Sequence, residues 1–254
     1  MPRLTAVNSA GYAAPAALTA DPVVLAPRSG RLHVLLVRRE EPPQQGRWAL
    51  PGGFMNDDEL PEQTAQRKLT EKTGVGAVYL EQLHTYGDPS RDPRGWIVSI
   101  SYLALIDAAV LHEGDTTARW FPVDDLPDVA FDHGATIAEG TERLRGKLWY
   151  SNIAVGLLPE RFTMPQARRL YEAISGVTHE ASNFRRELEQ SGLVRSTGVV
   201  VKGVPGRPAM LYEFVERRPA WSPRRSRTPA AIRAGAGGGA ERRHRPRRLV
   251  VVSS

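Results

Sequence analysis

The side chains with the clearest chemical potential are Lys68, Glu71 and Lys72. Their spacing of i, i+3 and i+4 puts them on one face of a helix. Two ammonium groups around one carboxylate repel a divalent cation and cannot ligate it, but they can donate charge-assisted hydrogen bonds to phosphate. The plain alternative is a solvated helix face closed by a Lys68–Glu71 ion pair. More cations stand nearby: Arg38 and Arg39 at the end of an apolar run, and Arg91 and Arg94 in the loop DPSRDPRGW (88–96), whose tryptophan can stack on a base. Trp48 reads either as a base platform or, from its apolar context, as a packing residue. A second group lies far along the chain at Ser182, Asn183, Arg185 and Arg186, with Lys202 and Arg207 beyond it. Asn and Arg are the side chains suited to bidentate contacts with adenine and guanine edges.

Positioning these groups requires two sets of elements. DPVVLA (21–26) and RLHVLLV (32–38) read as a strand pair around the turn signal Pro27-Arg28-Ser29-Gly30. WALPGGF (48–54) turns sharply at Pro51-Gly52-Gly53, and a helix follows from Pro61 to Lys72, stopping at Gly74. Strands are expected near 77–86, 96–106 and 118–121, the second apolar enough to be central. From 132 to 158 the pattern is helical, with Leu144/Leu148 and Ile153/Leu157 at i, i+4 and a break near Ser151.

Beyond Pro159 a small separate domain is expected. Thr163 and Gln166 form a capping box, Pro165 sits in the first turn, and Ala167, Leu170, Tyr171 and Ile174 make one apolar face. A second helix, 181–190, turns Ala181, Phe184 and Leu188 inward and Ser182, Asn183, Arg185, Arg186 and Glu189 outward. Strands at 194–202 and 209–214 flank a Gly/Pro turn that displays Arg207. Two short helices and a wing match a helix-turn-helix, although such an appendage could equally pack on the first domain or form a dimer interface.

Composition narrows the classes. The chain has 254 residues and no cysteine, which excludes disulfides and thiolate zinc sites. Residues 1–16 read as a loose N-terminal arm without the apolar run of a signal or membrane span, so a cytoplasmic protein with no membrane partner is expected. The net charge of +6 is unevenly spread: residues 217–254 carry eleven Arg and one Glu, leaving the rest at −4. That tail has no apolar period and is expected to be disordered, its arginines adding sequence-independent attraction to DNA phosphates. The resulting division is 1–16 arm, 17–150 first domain, 151–216 second domain and 217–254 tail.

Residues 53–75, GFMNDDELPEQTAQRKLTEKTGV, resemble the Nudix box G-x5-E-x7-R-E-U-x-E-E-x-G-U, where U is bulky and apolar. Gly53, Glu59, Arg67, Leu69, Glu71, Gly74 and Val75 match at the correct spacing. The resemblance implies an α/β fold, a mixed sheet in an α/β/α sandwich. In active members glutamates at the positions of Lys68, Glu71 and Lys72 hold the divalent cations that polarise a diphosphate. Two are lysines here, so the resemblance implies no catalytic residue, hydrolysis absent or feeble, and no required cofactor. Mg²⁺ would accompany only residual activity, with Glu71, Glu59 or Glu113 as weak ligands. The lysines would then grip a diphosphate directly.

ERFTMPQARRLYEAISG, NFRRELEQSGLV and GRPAMLYEF in turn resemble the C-terminal winged helix of the Nudix-related transcriptional regulators of the NrtR type, and the loop DPRG (92–95) is also typical of them. This resemblance implies a repressor of NAD-metabolism or sugar-catabolism genes, usually a homodimer on a palindromic operator. Its effector would be ADP-ribose or a related nucleotide or sugar-phosphate. Segment 132–158 would transmit the ligand signal. Two readings compete with it: a hydrolase of ADP-ribose-like nucleotides with a DNA-binding appendage, and a nonspecific nucleic-acid binder driven by the tail.

Overall fold

The computed structural model describes residues 6–7, 13–14, 16–74, 76–77, 79–106, 117–201 and 208–217. After the short pair β1 (Ala6–Val7) and β2 (Ala13–Ala14), a seven-stranded mixed sheet is built on β3 (Ala17–Arg28). The order β5-β4-β3-β8-β7 involves β4 (Arg31–Arg38), β5 (Trp48–Ala49), β7 (Tyr79–Tyr86) and β8 (Ile97–Leu105). Two more strands join off that path: β6 (Gly53–Phe54) pairs with β3, and β9 (Ala118–Pro122) pairs with β4. β3 runs parallel to β8 from Ala17 to Leu25 and antiparallel to β4 from Leu25 to Arg28. It starts at Ala17 rather than at 21 because the parallel pairing with β8 extends that far.

Period-two alternation feeds both faces of this sheet. Val24, Ala26, Leu35, Val37, Ala104 and Ile106 face helix α1 (Pro61–Thr73), which buries Leu69 among them. Val23, Leu25, Val34, Leu36, Leu103 and Leu105 face helix α2 (His133–Lys147) through Ile137 and Leu144. Helices on both faces make the α/β/α sandwich. Gly140 allows the close approach of α2 to β3, since a Cβ there would stand 2.9 Å from Val23 Cγ1.

The second core face does not end with the sandwich. It continues without a break into Phe162, Tyr171, Ile174, Phe184 and Leu188 of a small domain. That domain comprises β10 (Phe162–Thr163), α3 (Met164–Ser175), α4 (Ala181–Ser191), β11 (Val194–Val201) and β12 (Ala209–Phe214) in the sheet order β10-β12-β11. The Thr163/Gln166 capping box opens α3, and Gly176, at φ 72°, closes it in the left-handed conformation.

Two local expectations differ from the structure. The helix begun near 132 ends at Lys147, and Ile153 and Leu157 lie on turns, with Val155 N–H donating to Asn152 O and Leu157 N–H to Ala154 O. Their i, i+4 spacing reflects burial of Ile153 against the shared core and not a helical stripe. Ala181 is exposed: as the first residue of α4 it precedes the turn that reaches the core, and Phe184 and Leu188 carry the buried face with Ser191.

Candidate functional site

A cleft of about 470 Å³ opens where the C-terminal end of β4, the Pro51-Gly52-Gly53 turn, α1 and the loop before β8 converge. Arg38, Arg39, Lys68, Lys72, Arg91 and Arg94 all line it, facing Asp21, Glu40, Glu41 and Asp92. Six of the seven side chains expected to bind a ligand are thus brought together. Trp48 is the exception: its ring packs edge-on against Phe121 at 4.7 Å and joins the core, as its apolar surroundings in the sequence indicated.

The Gly turn brings α1 close to the floor of this cleft. Gly52 lies so near Asp21 that a Cβ would fall 1.8 Å from Oδ1, so only glycine fits. Asp21 is buried and accepts from Thr19 Oγ1 (2.8 Å) and Ser99 Oγ (2.5 Å). Arg67 fastens the preceding loop to α1. It is ion-paired with Glu59, reaches Phe54 O at 3.3 Å, and donates to Glu71 at 3.0 Å. Glu59 also accepts from Thr64 Oγ1 (2.8 Å) and Asn56 N–H (3.3 Å), and Arg67 holds its carboxyl down at about 2.

The lysines divide their work. Lys68 donates to Glu71 Oε2 at 2.8 Å, and its stem lies against Gly53. Glu71 is therefore flanked by Lys68 and Arg67, which keep its carboxyl below the usual range. Lys72 is half-buried and donates to the carbonyl of Gly52 at 2.5 Å, and burial lowers its ammonium below the ordinary lysine value. Mg²⁺ does not fit this donor set. Two ammonium groups occupy the face, Glu71 and Glu59 are each committed to cations, and a hard dication needs unencumbered oxygen ligands. Glu113 lies outside the described residues.

The far wall has its own arginine network. Arg91 grips Asp132 through two bonds, at 2.8 and 2.6 Å, and Arg94 grips Asp92 likewise, at 3.0 and 2.7 Å. Phe131 lies between two guanidinium groups, with Arg39 4.9 Å and Arg94 5.8 Å from its ring centre. Burial, followed by the nearby Arg94 charge, lowers the Arg39 pKa, so an anion here would relieve crowding of positive charge. His133 Nδ1 accepts the Leu50 N–H at 3.0 Å, and burial holds the ring neutral. Sequence reasoning missed Asp21, Phe131, Asp132 and His133. Each serves the site through contacts across the fold, and no local spacing marks them.

In the second domain, α4 is capped by Glu180, whose carboxylate accepts the Ser182 and Asn183 N–H groups at 2.9 and 2.7 Å. Ser182, Asn183, Arg185 and Arg186 are exposed on one side of α4. Arg186 donates to Asn183 Oδ1 at 2.8 Å, and Arg185 donates to Glu189 at 3.0 Å beside the Tyr212 ring. These bonds orient the guanidinium groups without burying them. Lys202 and Arg207 lie outside the described residues, as does the tail beyond Arg217. No described helix is long and apolar enough to cross a membrane.

Comparison with known proteins agrees with this two-part construction. Residues 18–142 match the NUDIX domain, and residues 154–214 match the NrtR DNA-binding winged helix domain. The ADPR responsive transcriptional repressor NtrR of Acinetobacter baylyi is 36% identical over 204 residues, covering 78% of this chain and 81% of that protein. The crystal structure of Shewanella oneidensis NrtR complexed with a 27mer DNA superposes with a TM-score of 0.68 at 40% identity, covering 78% of this chain and 93% of that one. The ADP-ribose pyrophosphatase of Methanocaldococcus jannaschii is 36% identical over 108 residues, 42% of this chain and 64% of that protein. With both domains matched in order and most of the repressor's length shared, this chain belongs to the NrtR family of Nudix-related, winged-helix transcriptional regulators.

Proposed function

We propose that this chain is a DNA-binding transcriptional repressor whose Nudix domain binds ADP-ribose as a regulatory ligand without hydrolysing it. The observation that carries the reading is the cleft itself. Six cationic side chains converge there, while the α1 face that would hold a metal presents Lys68 and Lys72. Lys72 is anchored at Gly52 O with donors to spare, and Lys68 shares its charge with Glu71, so both supply fixed positive charge where a diphosphate would lie. No cofactor is needed for binding of this kind.

One exposed recognition helix per chain contacts one half-site, so the repressor acts as a homodimer on a palindromic operator in the cytoplasm. ADP-ribose lowers operator affinity by favouring the arrangement that does not bind DNA.

The likeness to an ADP-ribose pyrophosphatase favours a second reading, a hydrolase with an appended DNA-binding domain. Calorimetry in EDTA separates the two. Saturable binding of ADP-ribose without metal, with no AMP formed after Mg²⁺ is added, is the expected result. Metal-dependent binding with AMP release would replace the repressor's ligand site with an enzyme's.

A further inference from the structure

Helix α2 has one end in the ligand cleft and the other in the winged helix. Its fifteen residues span about 22 Å. At its head three consecutive residues are tied to the cleft. Phe131 lies against Arg39 and Arg94, Asp132 holds Arg91 through two bonds, and His133 accepts the Leu50 N–H. The backbone of Phe131 is in the left-handed region at φ 55°, unfavourable for a side chain of this kind. Its N–H is held by Gln44 Oε1 at 3.0 Å. A conformation of this sort persists only while its surroundings over-determine it.

The tail of α2 meets the DNA-binding domain. Trp149, one residue beyond the helix cap Leu148, makes edge-on contacts with Tyr171 (5.1 Å), His179 (5.2 Å) and Phe184 (5.8 Å). His179 immediately precedes Glu180, the cap of α4, and Phe184 is the buried anchor of that helix. The Tyr171 hydroxyl and His179 Nε2 are buried with no hydrogen-bond partner among the described residues. Two unmet polar atoms in one joint are a cost of this packing that a shifted joint need not carry.

We propose that Phe131–His133 form a latch which a bound diphosphate opens, and that α2 carries the release to Trp149 and recognition helix α4. The inference rests on the ADP-ribose reading above. Phosphate oxygens are better partners for guanidinium groups than an aromatic face, and they compete with Asp132 for Arg91. Once Arg39, Arg91 and Arg94 turn to the ligand, the Phe131 ring loses its guanidinium contacts, and its left-handed conformation rests on the Gln44 hydrogen bond and the His133 ring contact. The head of α2 then moves. Because α2 is seated tightly on Val23 at Gly140, displacement passes along the helix instead of being absorbed within it.

The test uses the full chain and ADP-ribose, with binding followed by calorimetry and amide hydrogen exchange read at residues 179–184. In the wild type, saturating ADP-ribose changes exchange at 179–184. Phe131→Gly removes both the ring and the backbone penalty, so once saturated with ADP-ribose, at whatever concentration its own isotherm requires, it loses that change. Should this variant fail to give a cooperative melt, Asp132→Asn, which keeps the side-chain volume and weakens the hold on Arg91, is read in the same way. No binding by the wild type would sink the ligand reading itself. Binding without a change at 179–184, or an equal change in the latch variant, would overturn the latch alone.

Discussion

Replacing Lys72 by methionine tests the central claim about the cleft, because it removes the ammonium and keeps most of the stem. The Nζ donates to Gly52 O at 2.5 Å, and an ammonium has three protons, which leaves two for a ligand. Loss of one charge-assisted bond costs about 1.5–3 kcal/mol. The dissociation constant for ADP-ribose in EDTA should therefore rise roughly 10- to 150-fold. A pH signature accompanies the loss. Burial lowers the Lys72 pKa below 10.5, and a bound diphosphate pulls it back up. Wild-type binding should then take up a proton between those two values, and affinity should fall as pH rises through the lower one. For stability the sign is opposite to that of a paired lysine. The cost of burying the charge is fully present at neutral pH and fades as pH climbs from the folded value toward 10.5, so the wild type gains on Lys72→Met in alkaline melts. Calorimetry in two buffers of different ionisation enthalpy reads affinity and proton uptake together. Unchanged affinity in Lys72→Met with no proton uptake in the wild type would show that Lys72 merely tethers the Gly turn.

Three further outcomes are expected. The double variant Lys68→Glu, Lys72→Glu frees Glu71 from its lysine partner and should bind Mn²⁺, measured by paramagnetic resonance, and release AMP from ADP-ribose; absence of Mn²⁺ binding would show that the α1 face fails as a metal site for reasons beyond those two residues. Phe184→Ala removes the buried anchor of α4 and should cost about 3–5 kcal/mol in denaturant unfolding, and a loss under 1 kcal/mol would contradict its placement in the shared core. Glu180 is held below 4.5 by the Ser182 and Asn183 N–H groups, so its contribution is complete above 4.5 and lost as pH falls through the folded value; Glu180→Gln should show a flatter acid limb in melting temperature against pH.

The legible parts of this molecule were those governed by local spacing. The Nudix helix, its glycine stop, the capping box of α3 and the two wing strands are written in residues only a few positions apart, and the structure places them within a residue or two of expectation. The cations at positions 38, 39, 68, 72, 91 and 94, singled out together from the sequence, line one cleft. What stayed hidden depends on long-range contact. Nothing near Phe131 tells that it will lie against Arg39 and Arg94, or that Asp132 will meet Arg91 forty-one residues away. The apolar pair Ile153/Leu157 misled for the same reason, since burial can impose a helical spacing on a turn.

The core that passes unbroken from the sandwich into the winged helix limits how such a regulator can be rebuilt. Leu144, Leu148 and Ile153 pack in the same cluster as Phe162, Tyr171 and Ile174, and Asn152 donates to the carbonyl of Glu216, just beyond β12. A DNA-binding module lifted from another protein would arrive with the wrong complementary surface and leave apolar side chains of the sandwich in water. Exchanging whole domains therefore requires recutting both sides of their common interior. In lineages built on this plan, the sensor and the reader are bound to change together.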